Sequence, residues 1–135
     1  MATVQRVTFF KARIEDRPGA LLATLKDLKE KNLGLAGVWA SPGEPGWSDL
    51  YIIPKDPKKV GNYWRSASIL AEEGTAFFVK GTDKTGALVK TLQAIGQAGV
   101  NLIRTHALAV GGKYGTFLFV GQDDIDKTTK ALGAK

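Results

Sequence analysis

The chain has 135 residues, 44% of them apolar, and a formal charge of +6 at pH 7, which suits one ordinary domain or two very small ones with a packed core. With no cysteine and one histidine, His106, the composition excludes disulfides, thiolate metal sites, a cysteine nucleophile and any His-rich metal cluster, so no metal and no cofactor are expected. No apolar run approaches about 18 residues, and the opening MATVQRVTFF has no apolar h-region, so a cytoplasmic protein with no membrane association is expected.

In chain order, Val4–Ile14 is β-rich, and the glycine turn DRPGALL follows at 16–22. A helix carries Leu21, Leu22, Leu25 and Leu28 on one stripe, against polar Lys26, Asp27, Lys29 and Glu30. Asn32, tolerant of left-handed backbone, ends it. Leu33–Ala40 reads as a strand, PGEPG at 42–46 as a turn and Trp47–Ile53 as a third strand. Val60, Tyr63, Trp64, Ala67 and Leu70 mark a second helical stripe. The pattern then starts again. Thr75–Gly81 is a strand, DKTGALV at 83–89 a turn, and Leu88, Val89, Leu92 and Ile95 a helical stripe closed by Gly99. Val100–Val110, GGK at 111–113 and Gly115–Val120 form a hairpin, and Ile125, Thr129 and Leu132 mark a weaker last helix.

The recurrence is a true internal repeat. Displacing the sequence by 67 positions without a gap matches residues 8–40 to 75–107 with ten identities in 33 positions, where average composition gives about two. The expected division is therefore 1–67 and 68–135, each with element order βαββα. A hairpin flanked by helices implies an α+β, ferredoxin-like arrangement, but that fold requires a further strand in each copy. One solution serves both copies: the opening strand of the second copy, about 75–81, lies beside the opening strand of the first, each acting as the other's fourth. The expectation is a six-stranded mixed or antiparallel sheet with four helices on one face. In it the two opening strands are central, and each hairpin flanks its own.

The identities are densest at the strand-to-helix turn. Pro18 suits a first helical position, and Thr85 suits a helix cap. Gly19 and Gly86 allow close approach of a ligand or backbone. The amides of Gly19, Ala20 and Leu21, and of Gly86, Ala87 and Leu88, then face outward at the positive helix end, a small anion site. Asp16 and Asp83 stand beside these turns and suit an ammonium group, so the pair of features fits an amino-acid zwitterion. Asp, Pro and Gly before an amphipathic helix are also ordinary turn chemistry, and both readings stay open on the residues alone.

DRPGALLATLKDLKEKNLGL and GTDKTGALVKTLQAIGQAGVNLIRTHA resemble the ACT domain family, small regulatory modules that bind amino acids. The resemblance covers nearly the whole chain, and the expectation it raises is a stand-alone tandem pair with no enzyme attached. It implies ACT-like repeats, no catalysis, and an amino acid bound between paired units at the first strand–helix turn and the start of the second strand. The implied ligand residues are Asp16, Pro18, Gly19, Ala20 and Leu21 in the first copy, and Asp83, Thr85, Gly86, Ala87, Leu88 and Asn101 in the second. Gly34 replaces the asparagine in the first copy, which favours unequal sites with the better one in the second.

The remaining signals rank lower. The basic residues are scattered, and clusters such as Lys26, Lys29 and Lys31 fit a solvated helix face. Lys113-Tyr-Gly-Thr-Phe-Leu-Phe-Val120 shares Lys113, Phe117 and Leu118 with the basic-aromatic octet of RNA-recognition domains but lacks the glycine at its second position and the aromatic at its third, so nucleic acid ranks as an alternative partner. Arg104 and His106 are expected on one strand face with Leu102 and Leu108. GTDKTG at 81–86 is too short for a phosphate loop. A homodimer is expected, because helices would cover one sheet face and leave an apolar one. An effector protein would hear the signal, and a purely structural assembly domain is the third reading.

Overall fold

The computed structural model describes residues 2–135; Met1, the first residue of the expected first repeat, lies outside them. The elements run β1 (Thr3–Glu15), α1 (Ala20–Glu30), β2 (Leu35–Pro42), β3 (Trp47–Pro54), α2 (Pro57–Ser66), β4 (Leu70–Thr82), α3 (Val89–Gln97), β5 (Leu102–Val110), β6 (Lys113–Val120) and α4 (Ile125–Leu132). The fold is α+β and ferredoxin-like. Its six strands are hydrogen-bonded in the order β2-β3-β1-β4-β6-β5, with the two opening strands central.

Two compact units account for the chain: Thr8–Gly74, and the chain up to Val7 with Thr75–Lys135. The division falls inside β1 and β4, which have 13 residues each, about twice the length of an average strand. The first unit thus holds the later part of β1, then α1, β2, β3 and α2, then the early part of β4. That is a complete βαββαβ. The second holds the later part of β4, then α3, β5, β6 and α4, with the early part of β1 as its remaining strand.

In the first unit, the alternation of β1 and β3 turns Phe10, Ala12, Leu50 and Ile52 toward Leu28 of α1 and Val60 and Trp64 of α2. β1 and β3 pair antiparallel with Phe10 opposite Ile52. Trp64 is fully buried, its ring centroid 6.4 Å from that of Phe10. Its indole N–H finds no hydrogen-bond partner among the described residues, which costs about 1–3 kcal/mol against the gain from burying the ring. The second unit repeats the scheme. Phe77 and Val79 of β4 and Leu118 and Val120 of β6 pack with Ile95 of α3, and Val4 joins them. The chain end is tied to β1 by Arg6 N–H to Lys135 O at 2.8 Å and Lys135 N–H to Val4 O at 3.2 Å.

Three local expectations need correction. The second helix stops at Ser66, and Leu70, expected on its stripe, opens β4 instead. Ser68 takes left-handed φ 58°, and the Ile69 amide closes on the Trp64 carbonyl at 2.9 Å, ending the helix before its apolar period runs out. Consequently β4 starts five residues ahead of the expected 75–81 strand, through Glu72 and Glu73, which hid it. Arg65 of α2 donates to Glu73 at 2.8 Å. In β5 a register shift between Leu102 and Arg104 separates residues expected on one face. Leu102 packs in the core, while Arg104, His106 and Leu108 point the other way. Among the described residues no helix is long and apolar enough to cross a membrane.

Phe10→Ala should cost about 3–5 kcal/mol, because its ring fills the space between β1 and Trp64. Leu22→Ala, at a residue 69% exposed, should stay within about 0.5 kcal/mol. Urea unfolding of the two variants checks both.

Candidate functional site

The second copy's turn leaves β4 at Thr82, passes Asp83 and Lys84, and enters α3 only at Val89. Gly86 sits at φ +74°, a left-handed conformation that side chains resist. The Asp83 amide donates to the Gly112 carbonyl at 3.0 Å, fastening the turn to the β5–β6 loop. The first copy is fastened the same way, Asp16 N–H to Gly46 O at 3.0 Å, with Gly19 at φ +88°.

The helix starts differ from expectation. Pro18 is not the first helical residue, because Gly19 caps α1 and Ala20 begins it. Thr85 does not cap α3; Leu88 occupies the cap position, and no side chain bonds there. Nor are all the turn amides free. Ala20 N–H folds back onto Arg17 O at 3.2 Å, and Ala87 N–H onto Lys84 O at 3.0 Å. The left-handed glycine bends each chain enough to close a tight turn first. The amides of Gly19, Leu21, Gly86 and Leu88 take no backbone partner among the described residues.

A cavity of about 350 Å³ opens at the second turn, within the usual range for small-molecule sites. Asp83, Gly86, Ala87 and Leu88 line one side, Ala107–Ala109 of β5 the other, with Tyr114 also in the wall. Thr85 does not line it. Asn101 is exposed just ahead of β5, and at about 3.3 Å rise per residue it lies roughly 20 Å along the strand from Leu108. The unit therefore does not bring Asn101 to the turn. Sequence reasoning missed the β5 wall and Tyr114. Tyr114 had a signal in the sequence, its alignment with Trp47 at the 67-position displacement; in the structure it pairs opposite Gly81. A Cβ on Gly81 would come within 2.9 Å of the Tyr114 ring.

The first copy's turn borders a cavity of about 390 Å³ that takes only Ala20 from the expected set, leaving out Asp16, Pro18, Gly19 and Leu21. Its charged rim is already paired: Arg17 donates to Glu15 at 2.6 Å and Arg13 to Glu44 at 3.2 Å. Asp27 accepts from Lys31 at 2.9 Å and from the Tyr63 hydroxyl. The Tyr63 hydrogen bond, more than Lys31, holds the Asp27 carboxyl below its ordinary range.

On the sheet face away from the helices, the second unit aligns Phe78 and Lys80 of β4 with Phe117, Gly115 and Lys113 of β6. Phe78 and Phe117 stack at 4.8 Å between centroids. His106, opposite Phe117 in β5, has its pKa lowered by burial and, less, by Arg104. Leu118 of the octet is wholly buried in the core, so it presents nothing to a ligand. Among the described residues no three His, Cys, Asp or Glu side chains gather as a metal site.

No protein-family profile and no curated protein matches the chain. Among solved structures, it is similar to protein BT0572 from Bacteroides thetaiotaomicron, with a TM-score of 0.80 at 19% identity over 98% of this chain and 88% of that one. It is also similar to the ligand-free regulatory subunit of aspartate kinase from Thermus thermophilus, with a TM-score of 0.65 at 14% identity over 98% and 95%. The corresponding subunit from Thermus flavus gives 0.63 at 15% identity over 98% and 94%. At such identities the likeness is one of fold, an ACT-like topology.

Because the folded-state pKa of Asp27 is lowered, its contribution to stability is present above its unfolded value near 3.8 and is lost as pH falls through the folded value. Tyr63→Phe should move the Asp27 carboxyl back up and flatten that acid-side loss. An NMR titration of Asp27, run beside acid unfolding, measures both effects.

Proposed function

We propose that this chain is a non-catalytic regulatory module that senses a free amino acid at the turn between β4 and α3. The observation that carries the reading is the cavity there, lined by Asp83, Lys84, Gly86, Ala87 and Leu88 of the turn and by Ala107, Leu108 and Ala109 of β5. An ammonium group would pair with Asp83, a carboxylate with the amides of Gly86 and Leu88 at the positive end of α3, and the side chain with the β5 wall. Asp16, Pro18, Gly19, Ala20 and Leu21 are the matching first-copy positions and form the weaker site, since of these only Ala20 lines the cavity of about 390 Å³ beside that turn. Thr85 and Asn101 contribute only if a second chain carries them to a turn. The solved structures described as aspartate-kinase regulatory subunits support a regulatory role.

A homodimer fits the exposed apolar residues Ile103, Leu108 and Val110, which are 62%, 71% and 70% exposed. A cytoplasmic location and an effector protein belong to the same reading. Occupancy acts by favouring one packing arrangement over another.

One observation favours a second reading, binding of single-stranded RNA. The stacked Phe78–Phe117 pair lies on an open face with Lys80 and Lys113, and none of the residues aligned there in β4, β5 and β6 is acidic.

A thermal-shift screen of the twenty amino acids at millimolar concentration should show stabilisation by at least one, and Asp83→Ala should abolish it. A blank screen sinks the sensor. For the second reading, an oligouridine should bind with affinity that falls steeply with salt and is lost in Phe117→Ala. No binding at low salt disposes of it.

A further inference from the structure

The repeat allows one cavity to be compared with its own duplicate. Beneath α3, on the helix side of the second unit, lies a cavity of about 430 Å³ distinct from the turn cavity. Displacement by 67 positions maps it onto the first-copy cavity: Lys84 onto Arg17, Ala87 onto Ala20, Thr91 onto Thr24 and Tyr114 onto Trp47. The fold therefore makes this hollow twice.

The electrostatics of the two differ. In the first copy, acids stand in the wall at Glu15 and Asp27. Arg17 is bound to Glu15, and Asp27 to Lys31 and Tyr63. In the second copy Thr82 replaces Glu15 and Ala94 replaces Asp27, while Lys90 appears where the first copy has Ala23. No acid remains in the wall, and Lys84 and Lys90 enter no ion pair among the described residues. The rest of the lining is apolar or small, and includes Val4, Ala131 and Leu132.

Two uncommitted cations lining an otherwise apolar hollow raise the local concentration of an anion. Charge-assisted hydrogen bonds then hold it. An ammonium group would find no acceptor carboxylate here. We infer that this second-unit cavity binds a small organic anion, a carboxylate or phosphate on an apolar body without an ammonium group. The inference does not rest on the amino-acid site: the two cavities share Lys84, Ala87 and Tyr114, but Asp83 belongs only to the turn and Lys90 only to this one.

An NMR titration of the full chain with 3-phenylpropionate, phenyl phosphate and phenethylammonium, each at up to about 10 mM, tests it in the millimolar range. At least one anion should shift the amides of Lys90, Ala94, Ala131 and Leu132, and the more effective anion tells carboxylate from phosphate. The phenethylammonium cation should shift none of them. Lys90→Ala should weaken the binding about tenfold with an unchanged melting temperature. Ala94→Asp, which installs the first-copy residue, should weaken it too. The inference is overturned if neither anion shifts these amides, or if the cation shifts them as well. Shifts confined to Gly86, Leu88 and Ala107–Ala109, or a Lys90→Ala affinity equal to that of the unaltered chain, overturn it equally.

Discussion

A βαββα segment cannot close its own sheet. Its opening strand has one neighbour in the hairpin and one side left with unpaired amides and carbonyls, which are costly to bury and hazardous to expose. Here the chain meets that constraint with length. β1 and β4 each run 13 residues, and each contributes one stretch to either compact unit. Every later feature depends on that division. It places the C-terminal stretch of β4, and with it the Asp83 turn, in the same unit as α3 and the β5–β6 hairpin.

Given closed units, the two copies diverge in how they use the same hollow parts. Both turns are pinned to a hairpin loop by an aspartate amide, and both pivot on a left-handed glycine. The first copy then fills its surroundings with paired charge: Glu15 with Arg17, Asp27 with Lys31 and Tyr63. The second copy replaces those acids with Thr82 and Ala94, and turns apolar alanines of β5 toward its turn. Duplication fixed the backbone, and substitution then distributed charge over it.

The fold was legible because hydrophobic periodicity and an ungapped repeat both survive in the residues. Phe10 and Phe77, Leu28 and Ile95, Asn32 and Gly99 hold matching places in matching elements. What sequence missed is local backbone geometry that tertiary contacts decide. Leu70 continues a helical period by spacing, yet the left-handed Ser68 breaks the helix first. A register shift in β5 sends Leu102 and Arg104 to opposite faces, which no alternation rule can foresee. The turn residues Asp83, Gly86, Ala87 and Leu88 do gather at one cavity, but their opposite wall at Ala107–Ala109 consists of residues with no chemistry to flag them. Asn101, carried over by resemblance, stands at the far end of that strand.

The placement of the tryptophans has a practical consequence. Trp39, Trp47 and Trp64 all fall within Thr8–Gly74, and Trp64 is sealed in that unit's core. Indole emission from this protein is thus a private reporter of the first unit. Its colour and intensity combine the buried Trp64 with the exposed Trp47 and the partly buried Trp39, while the cavities around Asp83 and Lys90 sit in a unit that contributes no indole signal of its own. An optical probe of those cavities has to be introduced there.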